Sequence, residues 1–443
     1  MRIEDTDKKR SSKEAIEQIF SSLKWLGLEW DEEVVFQSAR KKRHVEIAEQ
    51  LLNQGKAYRC FCTKEELDEK RRRAEALKIN QRYDGTCHNL SREEIKGNLR
   101  ENKPFSVRLR VEAGQVVFDD LIHGQTIIDN NVLDDFIILR PDETPVYQLA
   151  VVADDHDMGV TTVLRGDDHL SNTNKQILLY QALGWDVPRF GHLPLILGQD
   201  KVRLSKRHGA TSVEEFKEQG LMAEALVNYL CLLGWSPGDD SEIMSREELI
   251  DQFSVQRINH TSAVFDLKKL YWINSKYLAK MTEDEIWNAV KNRLSAQDFS
   301  FSAEEADQLQ YLSRLLQPRS QTLLELTEGM KVFFDDPENY EEKGVRKFFT
   351  QESFTIPFAE FYNLFKEQPG AIYRDVKAVE DFIRGFAQKK SVSAAKIIHP
   401  LRLALTGKTA SPGIFELIVI LGKERVLRRM KNALQYIYGA SNR

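Results

Sequence analysis

From Pro145 onward the chain changes character, and that change limits its fold more than any other feature. Near-continuous apolar segments, Tyr147-Gln-Leu-Ala-Val-Val152 and Val160-Thr-Thr-Val-Leu164, alternate with a helical stretch over residues 171–183 and a third apolar run, His192-Leu-Pro-Leu-Ile-Leu-Gly198. Strands that are apolar on both sides must be covered on both sides, which a parallel sheet flanked by helices provides. The alternation therefore predicts an α/β domain with a doubly wound parallel sheet, its strands at 147–152, 160–164 and up to Gly198. Ligands of such sheets sit beyond the carboxyl ends of the strands. The residues there are Asp154, Asp155 and His156 after one strand and Arg165-Gly-Asp-Asp-His169 after the next.

The remainder reads differently on either side of this block. At the start, Met1-Arg-Ile-Glu-Asp-Thr-Asp7 has the pattern of a strand end and an acidic turn. A helix follows: Ser11 and Glu14 have capping-box spacing, and Ile16, Ile19, Phe20, Leu23 and Leu26 share one face before Gly27. A parallel strand at residue 1 needs neighbours, so a further strand upstream is expected. Residues 36–67 read as mainly helical, 69–73 as a charged helix and 83–87 as a turn. Strands are predicted where Phe105, Val107, Leu109 and Val111 alternate with polar residues, and again over 132–139. This mixed block, roughly residues 47–145, has the pattern of an α+β insertion with its own small core. From about residue 211 onward nearly every segment is helical in pattern, including 222–233, 245–253, 303–316 and a helix opening at Ser411-Pro412. Gly422 separates that last helix from a basic one, and a hinge is placed near residues 281–303. At 443 residues the chain exceeds one ordinary core. The expected division is 1–46, 47–145, 146–210, 211–290 and 291–443.

Composition excludes several classes. No apolar run approaches the roughly 18 residues of a membrane span, and the charged N-terminus is unlike a secretory signal, so a cytosolic protein is expected. Four cysteines make no disulfide framework, and Cys231 lies in an apolar segment suited to a buried free thiol. A formal charge of −5 neither suggests nor excludes a nucleic-acid partner, because binding depends on a local basic face. One such local feature follows Gly198. The segment Arg203-Leu-Ser-Lys-Arg207, with Lys201 before it and His208-Gly209 after it, brings several cations onto an exposed loop able to grip a polyphosphate. A merely solvated basic loop has the same composition.

The joint arrangement is more specific than any of its parts. Arg2-Ile-Glu-Asp-Thr-Asp7, Tyr147-Gln-Leu-Ala150 with Asp154-Asp-His156 and Met158-Gly-Val160, Arg165-Gly-Asp-Asp-His169 and Arg203-Leu-Ser-Lys-Arg-His-Gly209 resemble, in order and spacing, the bacterial glutamyl-tRNA synthetases, class I aminoacyl-tRNA synthetases. Leu233-Gly-Trp-Ser-Pro237, Ala263-Val-Phe-Asp266, Ala404-Leu-Thr-Gly407 and Ser411-Pro-Gly-Ile-Phe415 extend the likeness over nearly the whole chain. The resemblance implies a Rossmann-type catalytic domain in two parts, 1–46 and 146–210, split by an insertion at 47–145 that binds the acceptor end. It further implies helical stem-contact and anticodon-binding domains at 211–290 and 291–443. The implied reaction joins L-glutamate to the 3′-terminal adenosine of tRNA(Glu) with ATP and Mg²⁺, in a monomeric enzyme. Lys206 matches the second lysine of the family's KMSKS loop, and Arg203 and Ser205 belong to the same ATP-binding loop. Arg203 stands where the family often has lysine. Glu4 matches the residue that receives the substrate amino group, and Tyr147 and Arg165 match residues that hold its carboxylates. The other reading is a non-catalytic tRNA-binding protein derived from the family.

The likeness departs from the family at two places. A strand and loop with the HIGH motif precede Arg2 in the family, and neither His156 nor His192 stands in for it, so the expectation is a chain lacking its N-terminal segment. Cys60-x-Cys62 followed by Cys87 resembles a zinc-binding pattern found in part of the family. Those members place a histidine two residues after the third cysteine, where this chain has Asn89, with His88 adjacent. Bound zinc and three reduced cysteines in a small core are the two readings.

Overall fold

A computed structural model of the protein describes residues 1–6, 11–77, 83–205, 207 and 212–440. The chain forms two compact units, one made of residues 1–211 and 227–266, the other of 212–226 and 267–443. The division falls inside the helix Ala223–Leu232.

In the first unit, β1 (Arg2–Ile3) and β2 (Val35–Phe36) pair in parallel. Between them α1 (Lys13–Trp25) is capped by Ser12, one residue later than its sequence spacing suggests, and the chain leaves it through Gly27 at φ +66°. After α2 (Lys41–Asn53) and β3 (Ala57–Cys60) come α3 (Lys64–Ala76) and α4 (Arg92–Arg100), both opened by capping boxes. β4 (Ser106–Leu109) runs antiparallel between β3 and β7 (Ile137–Leu139), while β5 (Gln115–Asp120) and β6 (Gly124–Asp129) form a hairpin. Then follow α5 (Tyr147–Asp157), β8 (Thr162–Gly166), α6 (Leu170–Leu183) and β9 (Arg189–Leu193), with β8 and β9 parallel. Ile47, Leu51, Val107, Leu109, Ile138, Leu149, Val152 and Leu179 form one core, joining α2, α5 and α6 to the three-stranded sheet.

Several expectations need correction. The segment 147–152 is the first half of α5, not a strand. An apolar run without interruption suits a helix buried on all sides as well as a buried strand, and every residue from Gln148 to Asp155 is buried. Asp154, Asp155 and His156 consequently lie in the last turns of a helix, whereas Arg165 does sit near the carboxyl end of β8. The strand expected to end at Gly198 is β9 and stops before Pro194, which has no N–H to give to a ladder. Of 132–139 only Ile137–Leu139 is strand, and the last long helix opens at Ile414, not at Ser411.

The second unit is helical among its described residues. Phe333, Phe358, Phe361, Phe365, Leu401, Leu417 and Met430 are all fully buried in its core. Residues 281–303, where sequence placed a hinge, fall inside this unit: the helices Glu283–Ser295 and Ala303–Leu316 share the buried residues Ile286, Val290, Leu309 and Leu312. Arg429 is fully buried as well, its guanidinium donating to Asp336 Oδ1 (2.8 Å) and to the carbonyls of Leu405 and Asp335 (both 2.8 Å). Gly422 breaks the helix Ile414–Ala440 with φ 71° and ψ 169°. Among the described residues no helix is long and apolar enough to cross a membrane.

Candidate active site

The end of α5 anchors the N-terminal strand. Asp154 is fully buried and accepts hydrogen bonds from Arg40 Nε (2.6 Å) and Gln37 Nε2 (3.0 Å), with His44 Nε2 at 2.9 Å. Burial opposes its charge, but these bonds prevail and hold its pKa below the ordinary carboxylate value. Its neighbour Asp155 shifts the other way. Burial raises it although Arg2 Nη1 lies 2.6 Å from its Oδ1. Arg2 also reaches Glu4 Oε1 at 3.0 Å, so the Asp155–Arg2 pair fixes where Glu4 stands.

Arg165 is the centre of the site. Its guanidinium donates to Thr173 Oγ1 (2.7 Å), Gln176 Oε1 (2.8 Å) and His192 Nε2 (3.3 Å), with the Tyr147 phenol close enough to act on it electrostatically. All these partners are neutral. Among the described residues Arg165 has no ion-pair partner, and burial holds its pKa below the usual value. A half-buried cation arranged this way suits an anionic ligand. Glu4 and Arg165 both act electrostatically on the Tyr147 phenol, so the structure brings together three residues singled out by sequence, Glu4, Tyr147 and Arg165. Nearby, Gln176 Nε2 and the Tyr180 hydroxyl are buried without a hydrogen-bond partner among the described residues. Sequence reading missed Thr173, Gln176, Tyr180 and the role of His192. Each looks like an ordinary element residue, and only the packing of α6 against β8 and β9 reveals them.

The described start of the basic loop, residues 197–203, is a tight hairpin. Leu197 bridges Arg203, Gly198 N donates to the Val202 carbonyl, and Lys201 takes a positive φ of 59° at the tip. Leu197 also bridges Val264, which seats the loop base on residues 263–265. Arg203 Nη2 pairs with Asp168 Oδ2 at 3.0 Å, and Arg203 and Arg165 line one cavity of about 750 Å³ with Asp168, His169 and Trp235. That volume suits a nucleotide-sized ligand. Ser205 is exposed beside Arg203; Lys206, with His208 and Gly209, lies outside the described residues.

A second cluster lies at the end of β3. The sulfurs of Cys60, Cys62 and Cys87 lie within 4.8 Å of one another. The Tyr83 hydroxyl is 3.5 Å from Cys60 Sγ and 3.6 Å from Cys62 Sγ, and it accepts from Cys87 N at 2.9 Å. His88 is directed elsewhere, stacked on Tyr58 with Nδ1 3.7 Å from Asp135. Three sulfurs and a phenol oxygen therefore make a compact four-donor set. Arg108 sits 3.9 Å over the Tyr83 ring and Lys70 lies 5.8 Å from it. The hydrogen bond with Cys87 holds the pKa of the Cys60 thiol down at about 4, whereas burial pushes the Tyr83 phenol up.

Comparison with known proteins agrees with this geometry. The sequence profile described as tRNA synthetases class I (E and Q), catalytic domain, matches residues 1–272, and an anticodon binding domain matches residues 276–434. The chain is 40% identical over 439 residues to glutamate–tRNA ligase 2 of Thermoanaerobacter pseudethanolicus, covering 99% of this chain and 91% of the relative. It is 42% identical over 444 residues to the glutamate–tRNA ligase of Geotalea uraniireducens, with 99% and 91% covered. The crystal structure of a glutamate tRNA ligase from Elizabethkingia meningosepticum in complex with its amino acid superposes with a TM-score of 0.85 at 30% identity, covering 98% of this chain and 92% of that one. The chain belongs to the class I tRNA synthetases of the glutamyl and glutaminyl group, with a catalytic domain followed by an anticodon-binding domain.

Proposed function

We propose that this protein is a glutamate–tRNA ligase that activates L-glutamate with ATP and transfers it to the 3′-terminal adenosine of tRNA(Glu). The observation that carries the reading is Arg165, a half-buried cation held by neutral partners beside Tyr147 and Glu4. Arg165 and Tyr147 hold the carboxylates of glutamate and Glu4 receives its ammonium group, so that both charge types of one small zwitterion are matched. A substrate carboxylate oxygen attacks the α-phosphorus of ATP and displaces pyrophosphate; the tRNA hydroxyl then attacks the acyl carbon and displaces AMP. Lys206, Arg203 and Ser205 act on the phosphates, with Lys206 stabilising the departing pyrophosphate. For Arg203 this requires exchanging Asp168 for a phosphate oxygen. Mg²⁺ accompanies ATP and offsets its charge.

The finer assignments carry over from the sequence reading: residues 47–145 for the acceptor end, 211–290 for the stem and 291–443 for the anticodon, in a cytoplasmic monomer. Cys60, Cys62 and Cys87 fit one tetrahedral zinc ion, and the Tyr83 oxygen replaces the histidine found in related patterns. Bound there, zinc would tie the end of β3 to the turn at residues 83–88. The test is aminoacylation of tRNA(Glu) with labelled glutamate. Acid-precipitable, ATP-dependent product supports the reading, and tRNA binding without product overturns it.

A further inference from the structure

Arg165 is held from behind by a chain of buried groups that begins on a different part of the fold. Asp120, the last residue of β5, is 4% exposed; its Oδ1 accepts the backbone N–H groups of Ile122 (2.9 Å), His123 (3.0 Å) and His192 (3.2 Å). Its Oδ2 lies 2.6 Å from His192 Nδ1, and His192 is fully buried. On the other side of the ring, His192 Nε2 lies 2.8 Å from Thr173 Oγ1 and 3.3 Å from Arg165 Nε. The close approach of the hairpin to β9 depends on Gly191, where a Cβ would come within 2.7 Å of Leu164 and 3.2 Å of Leu121.

The ring's protonation follows from its two neighbours. The carboxylate of Asp120 requires a proton on Nδ1, which leaves Nε2 as an acceptor. The single lone pair of Nε2 faces both the Arg165 Nε–H and the Thr173 hydroxyl, which has the His169 carbonyl at 3.5 Å as a second acceptor, while Thr173 Oγ1 accepts from Arg165 Nη2. A protonated imidazole would instead point an N–H at the guanidinium. Burial, opposed by Asp120, lowers the His192 pKa and keeps the ring neutral. The arrangement of Asp120, His192 and Thr173 looks like a nucleophile triad, but Thr173 is fully buried and its oxygen is occupied by Arg165, so it has no route to a substrate.

We infer that Asp120, His192 and Thr173 are positioning residues that fix the orientation of Arg165 for the glutamate carboxylate, through His192 Nε2 as an obligatory acceptor. The inference rests on the proposed role of Arg165 in binding glutamate. A guanidinium with one edge held by directed bonds presents its remaining donors in a single orientation, and its hold on a carboxylate weakens when that edge is released.

The test separates the two ring nitrogens. An asparagine amide can reproduce the Nδ1 donor and not the Nε2 acceptor, whereas a glutamine amide reaches the Nε2 position with its oxygen. In tRNA-dependent aminoacylation, H192N should raise the KM for glutamate about tenfold, the loss of one hydrogen bond to a charged group, and leave the KM for ATP within about twofold. H192Q should stay within about threefold of the parent for glutamate. Equal effects of H192N and H192Q, or parallel rises in both KM values, would overturn the inference and mark the cluster as general packing. Should H192N fail to fold, T173V and T173S give the same contrast, with the hydroxyl present only in the serine variant. R165A is measured alongside. If it raises the KM for glutamate while H192N and T173V do not, only the positioning role fails; if R165A has no effect on that KM, the substrate role and the positioning role fall together.

Discussion

The cleft around Arg165 and the cysteine cluster at the end of β3 are both polar groups held away from water, and in the proposed reading they take charges of opposite sign. Around Arg165 the protein supplies neutral acceptors and leaves the cation without a directly ion-paired carboxylate among the described residues. Around Cys60 it supplies soft donors and places Arg108 and Lys70 nearby. The first arrangement can hold an anion without rearranging, and the second a cation whose ligands have lost their protons. The contrast implies that damage to one should change substrate use and damage to the other should change stability.

The largest expected effect breaks the first half. R165A should lower kcat/KM for glutamate by about 10²- to 10³-fold, the usual loss when one partner of a charged recognition pair is removed, with little change in melting temperature. Steady-state aminoacylation and a thermal melt on the same preparation check it. K206A should lower the adenylation rate by at least about 10²-fold while tRNA affinity changes little. A near-normal rate of pyrophosphate exchange would remove Lys206 from the chemistry.

The second half is sharpened by metal analysis. Purified protein should carry about one equivalent of zinc. Chelation, or C87A, should lower the melting temperature and increase hydrogen exchange over residues 57–90, with the KM for glutamate unaltered. Y83F should weaken metal retention without abolishing it. If the metal content is substoichiometric after careful purification, the cysteines are reduced core residues.

A smaller effect concerns the two adjacent carboxylates of α5. Asp154 is more acidic folded than unfolded, so its stabilisation is present above the ordinary carboxylate pKa and is lost as pH falls through the folded value. D154N should therefore cost about 3–5 kcal/mol at neutral pH, and the difference from the parent should shrink as pH is lowered below about 4. Asp155 is raised, so its contribution has the opposite sign: it is largest at low pH and is lost as pH rises through the folded pKa. Urea unfolding of both variants at several pH values measures the contrast. Parallel pH slopes for D154N and D155N would contradict it.

What the sequence revealed follows from how local each signal is. The Arg165 segment, the basic loop and the three cysteines are short and sit where spacing can be read. The strand–helix alternation also led to the right fold class, although α5 was read as a strand because a fully buried apolar run has no telling period. The Asp120–His192 bond was out of reach, since its members are 72 residues apart and neither has a local signature. Tyr83 was hidden for a related reason: the first residue of a turn has no chemical signature until its hydroxyl is placed beside two sulfurs.

The most direct test of the central reading is pyrophosphate exchange into ATP by the purified protein, run with L-glutamate or L-glutamine and with or without tRNA(Glu). Exchange that requires both glutamate and tRNA(Glu), and that R165A reduces by about 10²-fold or more, is the predicted result. Exchange of equal size with glutamine, or none with any amino acid although tRNA(Glu) binds, would contradict it.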